Sequence, residues 1–585
     1  MYVGNSISMK RYSWKKRIDI NQKSFAFTHR YDEDKFYKEK NYSKTNIFLT
    51  KINNRLILSS LFFTAVFLVI VIKIIELNLF NDHQQSIFNK SYTDARGNIL
   101  DRNENPLTAN LRLADIGVFP KQIYDKDKFV KNVKTIFPEI SEDRLLQRVN
   151  GDSHFWIKRN VSNQYLQKVY DMGETGIAIT PTYLRKYPHD ELVSHILGDV
   201  DIDNIGIAGI EKSFNQRLSK NEFISSIDIE IQYAVRDELL RGIKKYKALG
   251  ASGILMDINN GEIISMVSLP DFNPNQPVED IQSQGKYFNK NTLGIYEFGS
   301  VMKTFTAAIG LEENIFNLNS MYSIPKRIKV GKNRVEDVHA PCNESKCSVK
   351  EIFVHSSNVG TIQMIRDIGT NLQQIYLDRL GLFNKIDLNL PELAVPQQPD
   401  PWRSVNTDSI SYGYGLSISP LHLTVATASI LNGGYLVRPT LEKKTKHNKE
   451  SLDQIFSTKT SDEMKYLFNQ VVLEGSAKEA FKNSANKSIV GGKTGTARTI
   501  RDGVYSRDHK MTSFISVFPI HEPQYILLTV IDRPRGVEED FYWTNAGWNA
   551  AKVGKLIIDR IGPILAINNE YKLNNNNLLI NTSLQ

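Results

Sequence analysis

A serine and a lysine stand three residues apart in the stretch EFGSVMKTFTAAIG, which spans residues 297–310. Residues i and i+3 of a helix share a face, so the amine of Lys303 can reach the hydroxyl of Ser300. A lysine can remove the serine proton when burial and a helix N-terminus keep the amine neutral. Ser300 is therefore a candidate nucleophile, but the spacing alone is a weak signal, because Ser-x-x-Lys also occurs at four other places in the chain and most such serines have no catalytic role.

Two further motifs offer groups that an acyl transfer needs. HSSNVG presents the hydroxyl of Ser356 and the amide of Asn358 two residues apart, as a short loop would. GGKTGTAR contains the chain's one Lys-Thr-Gly, which begins at Lys493. Its glycine lets another backbone approach closely, and its cation and hydroxyls suit a carboxylate. A phosphate loop is disfavoured, because no upstream glycine stands at the required spacing.

Two predicted hairpins must position these groups. GILMDINNGEIISMVSL contains two strand-forming runs around Asn-Asn-Gly, and TSFISVFPI and YILLTVIDR flank a short turn near the C-terminus. Before the first hairpin, residues 227–248 show apolar spacing near 3.6, which predicts a helix that Asp228 can cap, and further helical stretches separate the two hairpins. Residues 226–565 are therefore predicted to form an α+β domain with an antiparallel sheet and flanking helices. Residues 76–225 show turn signals without a strong helical period, which predicts a β-rich region, and residues 566–585 are predicted to be a disordered tail.

The positive charge is concentrated at the N-terminus. Of the net charge of +9, residues 1–55 carry +8, so the remaining chain is nearly neutral and a nucleic-acid-binding role is disfavoured. Residues 56–75 follow, with Lys73 as their one charged residue, and their length matches the roughly 30 Å of a bilayer's hydrocarbon core. We predict a basic cytoplasmic tail, a single transmembrane anchor at residues 56–75, and an exported remainder.

Two cysteines, Cys342 and Cys347, lie five residues apart. An exported domain occupies an oxidising compartment, so a disulfide that closes a short loop is one interpretation, and two free thiols are the other. A metal site is not predicted, because no second pair of ligands accompanies them. We identify no cofactor motif.

Taken in order, the three short motifs resemble the signature of the penicillin-recognising acyl-serine enzymes. RGNILDRN, RKYPHDELVSHILGDV and GIAGIEKSFNQRL look like the pedestal motifs of class B penicillin-binding proteins, and SIDIEIQ and MDINNGEIISMVSLPDFNPN look like their transpeptidase segments. The resemblance implies a transpeptidase domain at residues 226–565 and an elongated, non-catalytic pedestal at residues 76–225. The single anchor, the length and SYGYGL at residues 411–416 favour the septal, cell-division member over the elongation-specific member.

The resemblance implies a catalytic role for five residues. Ser300 would attack the penultimate D-alanine carbonyl of a peptidoglycan stem peptide, and Lys303 would take the serine proton. Ser356 would relay a proton to the leaving amine. Asn358 would hold the donor peptide's amide, and Lys493 would support the electrostatic network. The amine of a second stem peptide would then attack the acyl-enzyme and form a cross-link.

Substrate binding is assigned in the same way to the strand that follows Lys493. Thr494 and Thr496 would bind the terminal carboxylate, and Gly495 would allow close approach. The backbone N–H groups of Ser300 and Thr496 would form an oxyanion hole. The sequence departs from the family at Phe298, where proline is usual, which leaves the affinity for β-lactams open.

The resemblance further implies the partners and the location. Peptidoglycan stem peptides would be the substrates, β-lactams covalent inhibitors, and a polytopic glycan polymerase and other division proteins the partners, without nucleic acid or cofactor. The protein would be anchored in the bacterial inner membrane at the division septum, with a periplasmic catalytic domain. The alternatives are an elongation-specific transpeptidase and, in another class, a β-lactam sensor or an inactive scaffold.

Overall fold

A computed structural model of the protein describes residues 57–73, 95–276, 285–342, 345–444, 453–501 and 504–582. The chain divides into two compact units, residues 1–91 and residues 92–585. The predicted basic tail, residues 1–55, lies outside the described residues.

The first unit is described as one helix, residues 57–73. It covers most of the predicted anchor, whose residues 56, 74 and 75 lie outside the described part. Among the described helices, none combines the length and the apolar character that crossing a membrane requires. The transmembrane anchor therefore stays a prediction.

A five-stranded antiparallel sheet organises the second half of the chain. Both predicted hairpins are confirmed: each forms two adjacent, paired strands of this sheet. The two strands of the first hairpin are buried at nearly every residue, because helices cover both faces. In spatial order, the strands are Gly491–Arg501, Val504–Phe518, Tyr525–Asp532, Gly250–Asp257 and Ile263–Leu269.

The helices of this domain follow from capping and apolar periodicity. Asp228 caps the first of them, as predicted, and accepts hydrogen bonds from the backbone N–H groups of Glu230 and Ile231. The α-helices are Ile229–Tyr246, Lys303–Glu312, Val349–Val354, Asn358–Ile368, Thr370–Arg379, Ser404–Ser411, Pro420–Leu431, Thr458–Leu473, Lys478–Phe481 and Ala550–Thr582. Short strand pairs join Met321–Ser323 to Lys346–Ser348, and Ile328–Val330 to Asn333–Val335.

The predicted pedestal, described from residue 95 to residue 225, is a mixed α/β structure. The prediction of a β-rich region without a helical period is therefore wrong in part. A three-stranded antiparallel sheet is present, but amphipathic helices pack beside it around a separate apolar core. Their apolar period lasts only two or three turns, which is too short to stand out from the turn signals. The strands are Phe155–Val161, Ala109–Val118 and Ile177–Lys186, and the longer helices are Lys126–Ile136, Glu142–Val149 and Asn163–Tyr170.

A buried ion cluster connects the pedestal motifs. Glu211 is fully buried, and its two carboxylate oxygens accept hydrogen bonds from Arg96 Nε at 2.6 Å and from Arg185 Nε at 2.7 Å. Nearby, the strand Ile99–Leu100 pairs in parallel with Phe223–Ile224. A buried charge that lacks its partner is strongly destabilising, so both buried arginines depend on the carboxylate of Glu211.

The structure also decides two questions that the sequence raised, the state of the cysteines and the fold of the C-terminal residues. Cys342 and Cys347 form a disulfide, which decides between the two interpretations of the pair.

The prediction of a disordered tail is wrong for residues 566–582, because the last helix continues to Thr582. Once a helix is nucleated, each added residue gains a hydrogen bond, so a polar segment can extend a helix that its composition alone would not start. Residues 583–585 lie outside the described part.

Candidate active site

Ser300 lies in a tight turn that packs against the edge of the sheet. The 3₁₀ turn Gly299–Met302 leads directly into the helix Lys303–Glu312. Gly299 has φ +56°, and a Cβ there would lie 2.6 Å from the carbonyl oxygen of Thr496. Only glycine allows this approach. Backbone contact thus places the half-buried Ser300 beside the outer edge of the strand Gly491–Arg501.

Lys303 is buried one helical turn after Ser300, with 1% of its surface exposed. Its Nζ donates hydrogen bonds to the carbonyl oxygen of Ser356 at 2.5 Å and to Ser356 Oγ at 3.2 Å. Burial and then the nearby Lys493 amine hold the pKa of Lys303 well below its usual value, while Asp337 acts in the opposite direction. The structure thus supplies the burial that a lysine base requires.

Ser356 lies in a strained turn between two helices. Its φ of +62° is a left-handed conformation that residues with a side chain rarely adopt. In this conformation Ser356 Oγ accepts a second hydrogen bond, from Lys493 Nζ at 2.9 Å. Two buried amines therefore meet at one hydroxyl. Asn358 begins the helix two residues later and is half-buried.

Lys493 has no exposed surface, and its burial lowers its pKa to about 7. A second contact of its Nζ, to the carbonyl oxygen of Thr494, is longer at 3.4 Å. The amine approaches from the strand, whereas Lys303 approaches from a helix. The sheet and the helices thus contribute one lysine each to Ser356.

The rest of the Lys-Thr-Gly strand forms a wall beside the Ser300 turn. Thr494 Oγ1 and Ser476 Oγ are 2.6 Å apart, and Thr496 Oγ1 accepts a hydrogen bond from the backbone N–H of Ala546 at 3.0 Å. A Cβ on Gly495 would lie 2.4 Å from the carbonyl oxygen of Phe298. The strand contacts the turn through its backbone, so Gly495 has no room for a side chain.

Asp337 belongs to the same site, although sequence reasoning did not identify it. Its carboxylate accepts hydrogen bonds from Ser357 Oγ at 2.6 Å and from the backbone N–H groups of Asn358 at 2.5 Å and Val359 at 3.1 Å. It lies 20 residues before Ser357 in a segment without a recognisable pattern. No spacing rule predicts such a contact, because the fold brings the two segments together.

Two histidines, His355 and His195, lie near the predicted motifs in the sequence. His355 is exposed. His195 packs edge-on against Phe272, and its Nε2 lies 3.5 Å from the carbonyl oxygen of Pro270. Burial lowers the pKa of His195, as expected for a packed neutral imidazole. Both observations fit packing and surface roles.

Comparison with known protein families identifies the family to which this chain belongs. The family described as the penicillin binding protein transpeptidase domain matches residues 251–552, which is more than half of the chain. The chain belongs to this penicillin-binding protein family. A second family, described as the penicillin-binding protein dimerisation domain, matches residues 92–247. This penicillin-binding protein therefore has the two-domain organisation of class B, and the predicted family and transpeptidase enzyme class are confirmed.

Known relatives share most of the length of this penicillin-binding protein. It is 29% identical over 491 residues to a probable peptidoglycan D,D-transpeptidase FtsI of Caulobacter vibrioides, which covers 82% of this chain and 83% of the relative. It is 26% identical over 500 residues to the stage V sporulation protein D of Bacillus subtilis, which covers 77% of this chain and 76% of the relative.

A solved structure supports the fold. The crystal structure of penicillin binding protein 3 from Mycobacterium tuberculosis, complexed with aztreonam, superposes with a TM-score of 0.61 at 20% identity. The match covers 80% of this chain and 96% of that one. The predicted fold class is therefore confirmed in part: the penicillin-binding transpeptidase fold with a dimerisation domain is shown, and the transmembrane helix stays a prediction.

Proposed function

We propose that this penicillin-binding protein is a septal peptidoglycan D,D-transpeptidase that cross-links stem peptides through an acyl-enzyme on Ser300. The observation that carries the proposal is the convergence of Lys303 and Lys493, both buried, on Ser356 Oγ behind the Ser300 turn. A neutral amine beside a serine is the arrangement that activates a hydroxyl for acyl transfer.

Acylation begins when Lys303 removes the proton of Ser300. The Ser300 oxygen attacks the penultimate D-alanine carbonyl of the donor stem peptide, and the backbone N–H groups of Ser300 and Thr496 stabilise the resulting oxyanion. The packing of Gly299 against the carbonyl oxygen of Thr496 supports this assignment, since it holds the turn and the strand edge together. The peptide C–N bond then breaks, and the ester to Ser300 remains.

Proton transfer to the leaving group runs through Ser356. The proton on Lys303 passes through Ser356 Oγ to the departing D-alanine nitrogen, and the hydrogen bond between Lys303 Nζ and Ser356 Oγ supports this route. In the second half-reaction, the amine of an acceptor stem peptide attacks the ester. It gives up a proton by the same route, and Ser300 recovers its hydroxyl proton as the cross-link forms.

Substrate positioning is assigned to Asn358, Thr494, Gly495 and Thr496. Asn358 binds the donor's amide, and the two threonine hydroxyls bind its terminal carboxylate. The backbone approach at Gly495 keeps this wall against the Ser300 turn. β-Lactams acylate the same serine, and the solved structures of penicillin binding protein 3 with aztreonam and with ampicillin support this assignment.

We infer the location from the N-terminal pattern and from the similarity to the peptidoglycan D,D-transpeptidase FtsI. The helix 57–73 exposes large apolar side chains on all sides, among them Leu58, Phe63 and Val69, which suits a lipid environment. The basic residues before it remain in the cytoplasm, and the catalytic domain lies in the periplasm. A polytopic glycan polymerase and other division proteins are the partners at the septum.

Labelling with a fluorescent penicillin tests the catalytic proposal. Ser300→Ala should abolish the covalent label that the unaltered chain acquires. Ser323→Ala is the matched control, because Ser323 belongs to another Ser-x-x-Lys copy and is exposed in a short strand. Equal labelling of Ser300→Ala and the unaltered chain would refute the proposal.

Imaging of a tagged chain in dividing cells tests the septal role. We expect the tagged protein to accumulate at midcell during constriction. An even distribution along the lateral wall would contradict the septal proposal and would indicate an elongation-specific transpeptidase instead.

A further inference from the structure

The carboxylate of Asp337 binds one end of the turn that carries Ser356. Three donors reach it: the Ser357 hydroxyl and the backbone N–H groups of Asn358 and Val359. The two N–H groups belong to the first turn of the helix Asn358–Ile368, where they have no intrahelical acceptor. A negative charge there also interacts favourably with the helix dipole.

The other end of the same turn is held by the two lysines. Lys303 Nζ donates to the carbonyl oxygen and to the hydroxyl of Ser356, and Lys493 Nζ donates to that hydroxyl. Ser356 itself has φ +62°, a conformation that persists in a residue with a side chain only where its surroundings impose it. The turn is therefore clamped between one carboxylate on one side and two amines on the other.

Charge balance links the two sides of the clamp. Lys303 is affected by the positive charge of Lys493 and by the negative charge of Asp337, which act in opposite directions on its pKa. Lys303 comes from the helix after the Ser300 turn, Lys493 from the sheet and Asp337 from the loop after the strand Asn333–Val335. The uncharged Ser356 turn lies between them.

We propose that Asp337 is a positioning residue of the acyl transfer, which fixes the Ser356 turn in its strained conformation and balances the charge of the two lysines. It acts through Ser356 and Lys303 rather than on the substrate. This inference rests on the proposed function, since it assumes that Ser300 is acylated with Lys303 as base.

The test measures the rate of fluorescent-penicillin acylation of the full chain as a function of pH. Lys303 must be neutral to act, so the rate rises with pH as Lys303 loses its proton. Asp337→Asn removes the charge that favours the ammonium form, so this rise should move to lower pH. The maximal rate should fall by about tenfold to a hundredfold, because the turn loses its anchor.

Two further variants separate charge from position. Asp337→Glu keeps the charge but moves the carboxylate by one methylene, so it should lower the maximal rate without moving the rise. Glu336→Gln is the matched control, because Glu336 is the exposed neighbour of Asp337 and pairs with Arg327 at the surface. It should match the unaltered chain in both respects.

The outcomes distinguish this inference from the function on which it rests. If Asp337→Asn acylates as fast as the unaltered chain, or loses rate without any shift of the rise to lower pH, the inference is overturned. If Asp337→Asn fails to fold, Asp337→Glu decides: an unchanged maximal rate or a displaced rise overturns the inference, and a reduced rate with an unmoved rise supports it. Labelling of Ser300→Ala would instead overturn the proposed function.

Discussion

Replacement of Lys493 by methionine should raise the stability of the protein while removing its activity. Burial lowers the pKa of Lys493 from the usual 10.5 to about 7. At about 1.4 kcal/mol per pH unit, the shift disfavours the ammonium form by about 5 kcal/mol, and the net cost to the folded state at pH 7 is about 4 kcal/mol, because about half of the folded molecules then carry the neutral amine. Methionine fills a similar volume without a charge. The lost hydrogen bond to Ser356 Oγ offsets about 1–2 kcal/mol, so we expect the unfolding free energy to rise by about 2–3 kcal/mol.

The sign of the pH dependence follows from the direction of the pKa shift. Between about pH 7 and pH 10 the unfolded state binds more protons at Lys493 than the folded state does, so the unaltered protein gains stability as the pH rises. The advantage of Lys493→Met should therefore be largest at pH 7 and should shrink toward pH 10.

Urea unfolding of the full chain at a series of pH values, followed by tryptophan fluorescence, measures this difference. Lys487→Met is the control, because Lys487 is exposed six residues earlier and its replacement should change the unfolding free energy by less than about 0.5 kcal/mol. Acylation by fluorescent penicillin should fall at least about a hundredfold in Lys493→Met and stay unchanged in the control. If Lys493→Met is less stable than the unaltered protein at pH 7, and the difference does not vary with pH, the reasoning from burial is refuted.

Two further predictions concern packing and buried charge. Gly495→Val should slow acylation by about a hundredfold, because its side chain would push the strand away from the carbonyl oxygen of Phe298. The time course of labelling by fluorescent penicillin measures this rate. Gly562→Ala is the control and should match the unaltered chain, because a Cβ there meets nothing within 4 Å. Glu211→Gln should lower the unfolding free energy by about 3–5 kcal/mol, because two buried arginines lose their carboxylate, whereas Glu222→Gln at an exposed position should not. Unchanged urea midpoints for Glu211→Gln would contradict this account.

Much of the architecture could be predicted because it depends on local pattern. Runs of strand-forming residues on either side of short turns predicted both hairpins, and Asp228 in front of an apolar period of 3.6 predicted the first helix of the domain. These features arise from residues close together in the chain, so periodicity and capping reveal them. The short helices of the pedestal and the continuation of the last helix escaped the same reasoning, because two turns of periodicity or a polar composition carry too little signal.

The sequence by itself determined which chemical groups are available: a serine with a lysine three residues later, a hydroxyl and an amide two residues apart, and one Lys-Thr-Gly. Only the tertiary structure decided that two of the lysines are buried and meet at Ser356, that Asp337 holds the turn from the other side, and that the cysteines are paired. The physical reason is that burial and electrostatic coupling depend on distance in space. Those distances are set by how the sheet and the helices pack, and the spacing of residues along the chain does not contain them.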